Sequence, residues 1–516
     1  MDQRIVRDVV ILGGGTAGWM TAAALSRVLN GKVSVTVVES DQIATVGVGE
    51  ATVPGIVRFN AMLGLDENEF MRETQGTIKL GIDFVDWTFL GDRYMHGFGR
   101  FRQDIQLTTF EQIWQKMNLI GRAAEMEAYS ITKLAARAGK FMRPRLDVPD
   151  SPLADIAYAF QFDASLYARY LRRYAEARGV RRIEGTMIDV ARHADGDIAA
   201  LVLATGERVE AEFFVDCSGF RGRLIEDVFH TGYDDWTHWL PCDRAVTVPC
   251  ATAKTGITPY TRAVARPAGW QWAIPLQHRT GNGHVFSSQY MSEDEATGIL
   301  LANLEGEALA DPWTLRFATG VRRRPWHRNC LAIGLAGGFL EPLESTSIHL
   351  IQSSIMRLLN FFPSAVPSEP DINEYNRLAR REYEHIRDFI VLHYHATRRN
   401  DTPFWDYCRT MEIPETLHAK MELFQSQGRL YDEADGLFAQ GSWTQVMQGQ
   451  GLRPKGYNSV VDIVDVDDIG AFIEGVRVAT QKCIELMPTH EEFIRQNCQA
   501  APVQDKAKFA RGALRA

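Results

Sequence analysis

A glycine-rich segment near the N-terminus, residues 13–18, reads GGGTAG and matches the pattern GxGxxG. It follows a strand-like apolar run, Val6–Leu12, and opens a helix-like apolar run, Gly18–Leu29. In this context the glycines permit a tight turn, a close approach of the backbone to a pyrophosphate, and close packing of helix on strand. The helix N-terminus adds free N–H groups and a partial positive charge. The segment predicts dinucleotide binding, with a purely structural glycine turn as the alternative.

Glu39 closes a second strand-like run, Lys32–Val38, where a carboxylate can accept hydrogen bonds from a ribose. Strand, helix and strand together predict a Rossmann-type βαβ unit. The sequence contains no second GxGxxG, which favours a stably bound FAD over a reductase that binds two nucleotides. The residues of the turn expected to contact the cofactor are Gly13, Gly15, Thr16, Ala17 and Gly18.

The bulk composition narrows the function classes. The 516 residues carry a formal net charge of −9, which argues against a nucleic-acid partner because nucleic-acid binders normally present a basic face. No apolar run approaches the ~20 residues of a membrane helix, and the first residues lack the features of a signal peptide. Seven scattered cysteines without a CxxC pair predict no metal site and no disulfide framework, and so favour the cytoplasm.

The pattern of apolar residues predicts an α/β fold with a helical C-terminal lobe. Residues 60–90 read as mostly helical, with Lys79 between apolar neighbours. The chain after Pro370 is predominantly helical. We therefore expect one interwoven α/β module over residues 1–350 and a mostly helical, substrate-side lobe over residues 351–516.

Five dispersed motifs resemble those of flavin-dependent halogenases of the tryptophan-halogenase type. They cover about the first two-thirds of the chain, and the GWxWxIP pattern among them is highly specific. The motifs are residues 46–54 (VGVGEATVP), 76–81 (GTIKLG), 162–164 (FDA), 269–275 (GWQWAIP) and 338–346 (GFLEPLEST).

The resemblance implies a flavin-monooxygenase-like FAD-binding fold with an added helical part. It implies that a separate flavin reductase delivers reduced FAD, which forms a hydroperoxide with oxygen. Chloride or bromide attacks this hydroperoxide, and the resulting hypohalous acid travels through an internal passage. It then halogenates an electron-rich aromatic ring by electrophilic substitution. The sequence does not decide whether the chain forms a homodimer.

In this resemblance, Lys79 and Glu344 carry the halogenation. Lys79 can hydrogen-bond the hypohalous acid, or be halogenated itself if burial lowers the pKa of its amine. Glu344 is a candidate general base for the ring proton, or a group that polarises the halogen donor. Without the motifs, Lys79 would be a surface lysine on an amphipathic helix, and Glu344 a carboxylate favoured by a helix N-terminus.

Further site residues follow from the same motifs. Thr346 and Ser347 stand at a predicted helix start, where backbone amides can hold the halide, although the family usually has glycine where Ser347 stands. The residues expected to line the passage, or alternatively to fill the core, are Trp270, Trp272, Ile274 and Pro275. The other residues expected near the FAD are Gly49, Glu50, Ala51, Met187, Leu335 and Ile348.

His96 and Phe98 are expected to form one face of a substrate site on which an indole stacks, with Trp443 on the opposite face and ordinary loop anchors as the alternative. Free-tryptophan halogenases also carry paired tyrosines and a glutamate, which hold the amino-acid backbone. This sequence has no Tyr-Tyr pair, and a zwitterion needs such partners. Indole or an indole derivative is therefore expected. The rival functions are a flavin-dependent aromatic monooxygenase and a non-catalytic FAD-binding protein.

Overall fold

The N-terminal part of the chain is the strand–helix–strand unit that the glycine pattern predicts. The computed structural model describes residues 4–41, 49–101, 108–253, 256–366, 368–433 and 436–502. Strand Asp8–Leu12 pairs in parallel with strand Ser34–Glu39, and helix Thr16–Leu29 connects them. Residues 46–48 of the predicted flavin loop lie outside the described residues.

This unit forms the centre of a six-stranded sheet in which all neighbours but one pair run parallel. In order across the sheet, the strands are Trp326–His327, Cys330–Ala332, Phe213–Asp216, Asp8–Leu12, Ser34–Glu39 and Arg181–Glu184. Ligands of such sheets bind beyond the carboxyl ends of the strands. Gly13 and Glu39 stand at two of these ends, so the predicted cofactor cradle lies at the expected edge.

A seven-stranded sheet carries the predicted passage and part of the substrate wall. In order, its strands are Trp313–Arg316, Arg244–Cys250, Thr280–Phe286, Gly269–Pro275, Thr261–Arg266, Gly81–Val85 and Arg93–Gly97. Alternate residues of a strand face the same side. Trp270 and Trp272 therefore share a face, and their ring centroids lie 5.9 Å apart. His96 lies on the edge strand.

Lys79 lies on a strand, so the prediction of a mostly helical segment over residues 60–90 is wrong for its second half. The helices of this segment end at Glu73, and strand Thr77–Lys79 then pairs antiparallel with strand Ala159–Phe162. The partner strand is distant in sequence. Strand propensity depends strongly on such tertiary pairing, so local periodicity did not reveal the strand.

Three smaller sheets and the helices complete the described fold. In the first small sheet, Ala159–Phe162 lies between Glu50–Ala51 and Thr77–Lys79. In the second, Ile198–Leu203 lies between Arg208–Glu210 and Met187–Arg192. In the third, Gly320–Arg322 lies between Tyr233–Asp235 and Gly338–Phe339. The α-helices are Thr16–Leu29, Gly55–Leu63, Glu67–Glu73, Phe110–Leu119, Ile131–Arg137, Ala164–Glu176, Glu293–Ala302, Ser347–Asn360, Glu369–His395, Pro403–Thr410, Glu415–Gln427, Gln440–Gly449, Val466–Leu486 and His490–Asn497. The 3-10 helices are Met126–Tyr129, Pro152–Asp155, Gly219–Arg221, Gly334–Ala336, Pro342–Glu344 and Ser459–Ile463. Across the described residues, no helix combines the length and the apolar character needed to cross a membrane.

The helices after residue 370 confirm the predicted helical C-terminal region, and they share a core with the N-terminal unit. Phe493 of the last described helix is buried in the same hydrophobic cluster as Val9. Residue 350 lies inside helix Ser347–Asn360, and the division of the chain at that residue stays a prediction.

Gly283 leaves the room that the Trp272 ring occupies. The two residues are paired across neighbouring strands, and a Cβ on Gly283 would lie 2.1 Å from the Trp272 ring. We expect Gly283→Ala to lower the free energy of unfolding by about 1–3 kcal/mol, because an overpacked core forces side chains and backbone to shift. Urea denaturation followed by circular dichroism measures this change.

The matched control for this substitution is Gly298→Ala in helix Glu293–Ala302. A Cβ at Gly298 meets no atom within 4 Å. Alanine is a better helix former than glycine, so this variant should be stabilised by about 0.5–1 kcal/mol. If both variants changed stability equally, the close contact between Trp272 and Gly283 would be refuted.

Candidate active site

Lys79 ends in the protein interior. Its side chain is 0% exposed, and its Nζ donates a hydrogen bond of 2.7 Å to Ser345 Oγ. The same Nζ lies 5.2 Å from the centroid of the Phe98 ring, within the range of a cation–π contact. The fold therefore brings Lys79 next to a predicted substrate residue and next to the segment that carries Glu344.

Burial changes the acidity of Lys79. It lowers the pKa of the amine from 10.5 to about 7, while the nearby Glu344 carboxylate acts in the opposite direction. The side chain can therefore exchange between ammonium and free amine at neutral pH. A group poised in this way can donate a proton in one step of a reaction and regain it in another.

Glu344 is a buried carboxylate held between two histidine rings. Its Oε2 lies 2.9 Å from His96 Nδ1, and its Oε1 lies 2.9 Å from His393 Nε2. Burial acts to raise the pKa of the Glu344 carboxyl, but the two histidines outweigh burial and lower it to about 2. Glu344 therefore stays ionised throughout the neutral pH range.

Ser345 joins the two predicted catalytic residues. It follows the 3-10 helix Pro342–Glu344 and has a left-handed backbone conformation, with φ of 60°. That conformation costs a residue other than glycine on the order of 1 kcal/mol. Strain of this kind persists only where the surroundings fix it, and it is concentrated at functional sites. Here the turn brings the Ser345 hydroxyl into contact with Lys79, and Ser345 is the residue that follows Glu344 in the chain.

The strand of Lys79 is anchored by two contacts. Thr77 Oγ1 donates a hydrogen bond of 2.6 Å to the carbonyl oxygen of Pro275, in the predicted passage strand. The backbone N–H of Ile78 donates to His490 Nε2 at 3.1 Å. Burial lowers the pKa of His490 to about 4, so this ring stays neutral and can accept. The lysine is thus tied both to the passage and to the last described helix.

Trp270 is fixed by a buried carboxyl group. Trp270 Nε1 donates to Glu341 Oε2 at 3.2 Å, and the Tyr394 hydroxyl donates to the same oxygen at 2.9 Å. Glu341 Oε1 has no hydrogen-bond partner among the described residues, nor has Trp272 Nε1. Burial raises the pKa of Glu341 to about 7, so a substantial fraction of this carboxyl keeps its proton at neutral pH. The other predicted passage residues, also buried, are Ile274 and Pro275.

The glycine turn is closely packed and leaves the helix start free for an anion. Gly13 has φ of 111°, and a Cβ there would lie 2.3 Å from the carbonyl oxygen of Cys217. A Cβ on Gly18 would lie 1.9 Å from the carbonyl oxygen of Gly13. Helix Thr16–Leu29 has Gly15 at its N-cap, so it has no side-chain cap, and its first turn contains no acidic residue. These features fit a phosphate at the helix N-terminus.

Two acidic residues flank this cradle. Glu39 ends its strand as predicted, and its carboxylate accepts hydrogen bonds from Arg182 Nε at 2.5 Å and Trp19 Nε1 at 3.3 Å. A ribose would share Glu39 with these donors. Burial, followed by repulsion from Asp163, raises the pKa of Glu50 to about 7. A buried carboxyl of that pKa can donate a hydrogen bond to a polar group of a cofactor.

The remaining predicted FAD residues are distributed around the cradle. Leu335 follows Gly334, and a Cβ added at Gly334 would lie 2.8 Å from Ala17 Cβ, so this segment packs closely against the cradle helix. Ile348 is buried in helix Ser347–Asn360, which packs against the cradle helix. Met187 is buried at the start of a separate three-stranded sheet, and its contact with FAD stays a prediction. Gly49 precedes the short strand Glu50–Ala51, which pairs with Ala159–Phe162.

Thr346 and Ser347 stand at a helix start, as predicted. Ser347 is the first residue of its helix, and Thr346 precedes it. The Thr346 hydroxyl is fully buried and has no hydrogen-bond partner among the described residues. Because buried polar groups nearly always have a partner, such a donor at the positive end of a helix suits a small anion.

Aromatic rings adjoin His96. Its ring centroid lies 5.5 Å from that of Phe389 and 6.2 Å from that of Phe438. Phe389 and Phe438 stack at 3.8 Å, and Trp443 meets Phe389 edge-on at 4.8 Å. Among the ring contacts of the described residues, Trp443 reaches His96 through Phe389. His96 and Trp443 thus belong to one aromatic cluster, whereas Phe98 lies beside Lys79 in a different hydrophobic cluster.

Some residues that complete the site were not singled out from the sequence. His393 lies in the long helix Glu369–His395, and His490 in the last described helix, and neither belongs to a motif. One signal was present for His393. It is a polar residue in the otherwise apolar run FIVLHY, residues 389–394, and buried polar residues need partners. Glu341 and Ser345 lay inside a recognised motif without a role of their own.

Comparison with protein families identifies close similarity over most of the chain. The family described as "Tryptophan halogenase" matches residues 8–466. Tryptophan 6-halogenase ThaL of Streptomyces albogriseolus is 34% identical over 497 residues, covering 88% of this chain and 91% of that protein. Tryptophan 7-halogenase RebH of Lentzea aerocolonigenes is 31% identical, covering 95% of this chain and 98% of that protein.

Solved structures give the same result for the fold. The flavin-dependent halogenase Xcc4156 from Xanthomonas campestris superposes with a TM-score of 0.93 at 47% identity, covering 97% of this chain and 100% of that one. The flavin-dependent halogenase BrvH from Brevundimonas sp. BAL3 has a TM-score of 0.91 at 42% identity, covering 96% and 99% of the two chains. The similarity therefore includes the C-terminal helices as well as the motifs.

A neutral Glu341 has a measurable effect on stability. Its pKa is 4.5 in an ordinary carboxyl and about 7 in the folded protein, so the folded chain keeps this proton when the unfolded chain has lost it. The contribution of Glu341 to stability is therefore full below pH 4.5 and is lost as the pH rises to about 7.

Glu341→Gln cannot titrate. We expect its stability relative to the unaltered protein to rise over this pH window and then level off, in urea denaturation at a series of pH values. A difference that stayed constant across the window would contradict a neutral Glu341.

Proposed function

We propose that this chain, which belongs to the tryptophan halogenase family, halogenates the indole ring of a substrate other than free tryptophan. As a member of that family it is an enzyme, a flavin-dependent halogenase that uses FADH2 and a halide. The bound cofactor supplies the oxidising power that converts halide to hypohalous acid. We further propose that a separate flavin reductase provides the reduced FAD.

Lys79 is proposed to receive the hypohalous acid. Its Nζ is buried beside the Phe98 ring, and burial sets the pKa of the amine at about 7. An ammonium with this pKa can donate a hydrogen bond to the oxygen of hypohalous acid and give up a proton at neutral pH. The single observation that supports halogenation best is this buried lysine, held by Ser345 next to the buried Glu344 carboxylate.

Glu344 is proposed to supply the negative charge that keeps this site functional. Its carboxylate raises the pKa of Lys79 against the effect of burial. Both of its oxygens lie within hydrogen-bonding distance of histidine nitrogens. The halide is proposed to bind at Thr346 and Ser347, where a buried hydroxyl without a partner and a helix N-terminus coincide.

The proposed substrate class rests on the aromatic cluster and on what lies beside it. His96, Phe389 and Phe438 offer ring faces and edges suited to an indole. A zwitterion needs charged partners, and two acidic residues that precede Phe438 in the chain, Asp432 and Glu433, have other contacts. Glu433 Oε1 accepts from Lys420 Nζ at 2.7 Å, and Asp432 Oδ1 accepts from the backbone N–H of Gln440 at 2.5 Å. An indole without a free amino-acid end therefore suits this site better than tryptophan does.

Two rival functions fit the site less well. A hydroxylating flavin monooxygenase has no use for a lysine buried beside the substrate wall. A non-catalytic FAD-binding protein would gain nothing from a buried Lys79 and Glu344, because taking such charges out of water is costly. Groups with strongly perturbed pKa values concentrate where catalysis needs them.

The test is a halogenation assay with the purified protein, FAD, a flavin reductase, NADH and bromide. Indole and tryptophan are offered separately, and products are identified by mass spectrometry. We expect bromoindole, with kcat/KM at least about tenfold higher for indole, since an unpaired charged group costs at least ~1.5 kcal/mol. Hydroxyindole without bromoindole would refute halogenation. A preference for tryptophan would refute the substrate class.

Lys79→Met keeps the length of the side chain and removes its amine. We expect halogenation to fall by at least about 100-fold, because proton transfer by a positioned group contributes that much or more. FAD binding, followed by the absorbance of the bound flavin, should be unchanged. An exposed lysine gives the matched control, Lys482→Met, which should retain full activity. Retained turnover in Lys79→Met would show that the lysine is misassigned.

Thr346→Val replaces the unpartnered hydroxyl with a methyl group of similar size. If the hydroxyl binds halide, we expect the bromide concentration that gives half-maximal rate to rise about fivefold or more, because the variant loses a hydrogen bond of ~1 kcal/mol. The KM for indole should stay the same. Ser353→Ala, six residues from Ser347 in the same helix, is the control. An unchanged bromide dependence would remove Thr346 from the halide site.

A further inference from the structure

Two histidines contact the Glu344 carboxylate. His393 Nδ1 lies 2.8 Å from the carbonyl oxygen of Phe389, which can only accept, so Nδ1 carries a hydrogen. His393 Nε2 lies 2.9 Å from Glu344 Oε1, close enough for an ion pair, but the two atoms are not aligned as a hydrogen bond. The His393 ring is 0% exposed, so it is held against Glu344 in the interior.

The contact with Glu344 also determines which ring nitrogen of His96 carries a hydrogen. Its Nδ1 lies 2.9 Å from the other oxygen of Glu344, so Nδ1 carries a hydrogen. Its Nε2 makes no hydrogen bond within the described part of the chain, and its ring adjoins Phe389 and Phe438 of the aromatic cluster. With the hydrogen on Nδ1, Nε2 is the ring nitrogen of His96 that can carry a lone pair and accept a proton.

Glu344 itself is poorly suited to remove a proton from the substrate. Its Oε2 already accepts a hydrogen bond from His96 Nδ1, its Oε1 lies 2.9 Å from His393 Nε2, and the two histidines lower its pKa, which makes it a weak base. A general base works best when its pKa lies near the working pH. A carboxylate that orients a histidine, whose other nitrogen faces the reacting group, is instead a recurrent arrangement for proton transfer.

We propose that His96 Nε2 is the base that takes the ring proton during halogenation, with Glu344 as the residue that orients it and balances its charge. This assignment rests on the proposed halogenation of an aromatic ring at this site. It changes the role expected for His96, from a stacking surface alone to a catalytic residue.

The step balances in atoms and electrons. A ring carbon forms a bond to the halogen of hypohalous acid while the halogen–oxygen bond breaks, and its electron pair leaves on oxygen. That oxygen takes a proton from the Lys79 ammonium and departs as water. The proton on the halogenated carbon passes to His96 Nε2, and the electron pair of the C–H bond restores the aromatic ring. The ring is oxidised by one electron pair and the halogen is reduced.

The net charge of the site stays constant through this step. Lys79 loses one positive charge as His96 gains one, and the pair of Glu344 and His393 is unchanged. In a buried site, where separating charge is costly, a reaction path without a change in net charge has a lower barrier. A proton then returns from His96 to Lys79 to reset the enzyme.

The test uses a mixture of indole and indole deuterated at every ring carbon, with bromide, and reads the isotope content of bromoindole by mass spectrometry. With a base in place, the ring proton leaves before the brominated intermediate can revert, so the product keeps the isotope ratio of the mixture. In His96→Asn, which keeps an N–H for Glu344 but has no basic nitrogen, turnover should fall by roughly 100-fold or more. The product should then be enriched in the unlabelled form.

Phe98→Leu is the matched control for loss of an aromatic wall, and it should slow turnover without isotope enrichment. An unenriched product from His96→Asn would overturn the proposal and leave His96 as a wall. Enrichment in Glu344→Gln but not in His96→Asn would also overturn it and make the carboxylate the base.

A second measurement keeps this proposal separate from the proposed substrate. Protein labelled with nitrogen-15 histidine, without substrate, is compared with its His96→Asn variant by NMR. We expect the variant to lose the signal of one unprotonated ring nitrogen, Nε2, and of one protonated nitrogen, Nδ1. If the lost signals are both protonated, His96 has no lone pair and the proposal fails, whatever the enzyme halogenates. A failure to halogenate indole combined with the expected spectrum would count against the substrate class alone.

Discussion

A carboxylate as deeply buried as Glu344 stays ionised only if donors surround it, and this requirement organises the site. The donors come from separate parts of the fold. His96 stands on the edge strand of the seven-stranded sheet, His393 on a long helix, and both meet Glu344 at 2.9 Å. Breaking a buried pair of charges leaves an uncompensated charge and is strongly destabilising. Sheet, helix and the Glu344 turn are therefore held in one relative position.

Two glutamates three residues apart have pKa values shifted in opposite directions because their surroundings differ. Glu341 is buried with two neutral donors on one oxygen, and burial raises its pKa to about 7. Glu344 is equally buried, but two histidines lower its pKa to about 2. Environments that push the pKa values of neighbouring groups apart separate their roles. One carboxyl fixes Trp270 in the passage, and the other carries charge for the chemistry.

The cofactor cradle was predicted from the sequence because the spacing of its glycines reflects backbone geometry, and Lys79 and Glu344 were predicted as candidates because their motifs resemble those of a known family. It failed where a contact joins distant segments. The strand of Lys79 was taken for helix because its partner, Ala159–Phe162, is remote in the chain. His393 was missed because a single histidine in a helix has no pattern, and its role arises only when the helix reaches Glu344.

The hydrogen bond from the Ile78 backbone to His490 spans 412 positions of the chain. A ribosome makes a protein from the N-terminus, and folding begins before synthesis ends. The strand of Lys79 therefore leaves the ribosome long before the ring that holds it has been made. The reactive lysine cannot be fully fixed until translation has passed residue 490. The order of synthesis thus delays completion of the halogenating end until the rest of the enzyme exists to contain its reagent.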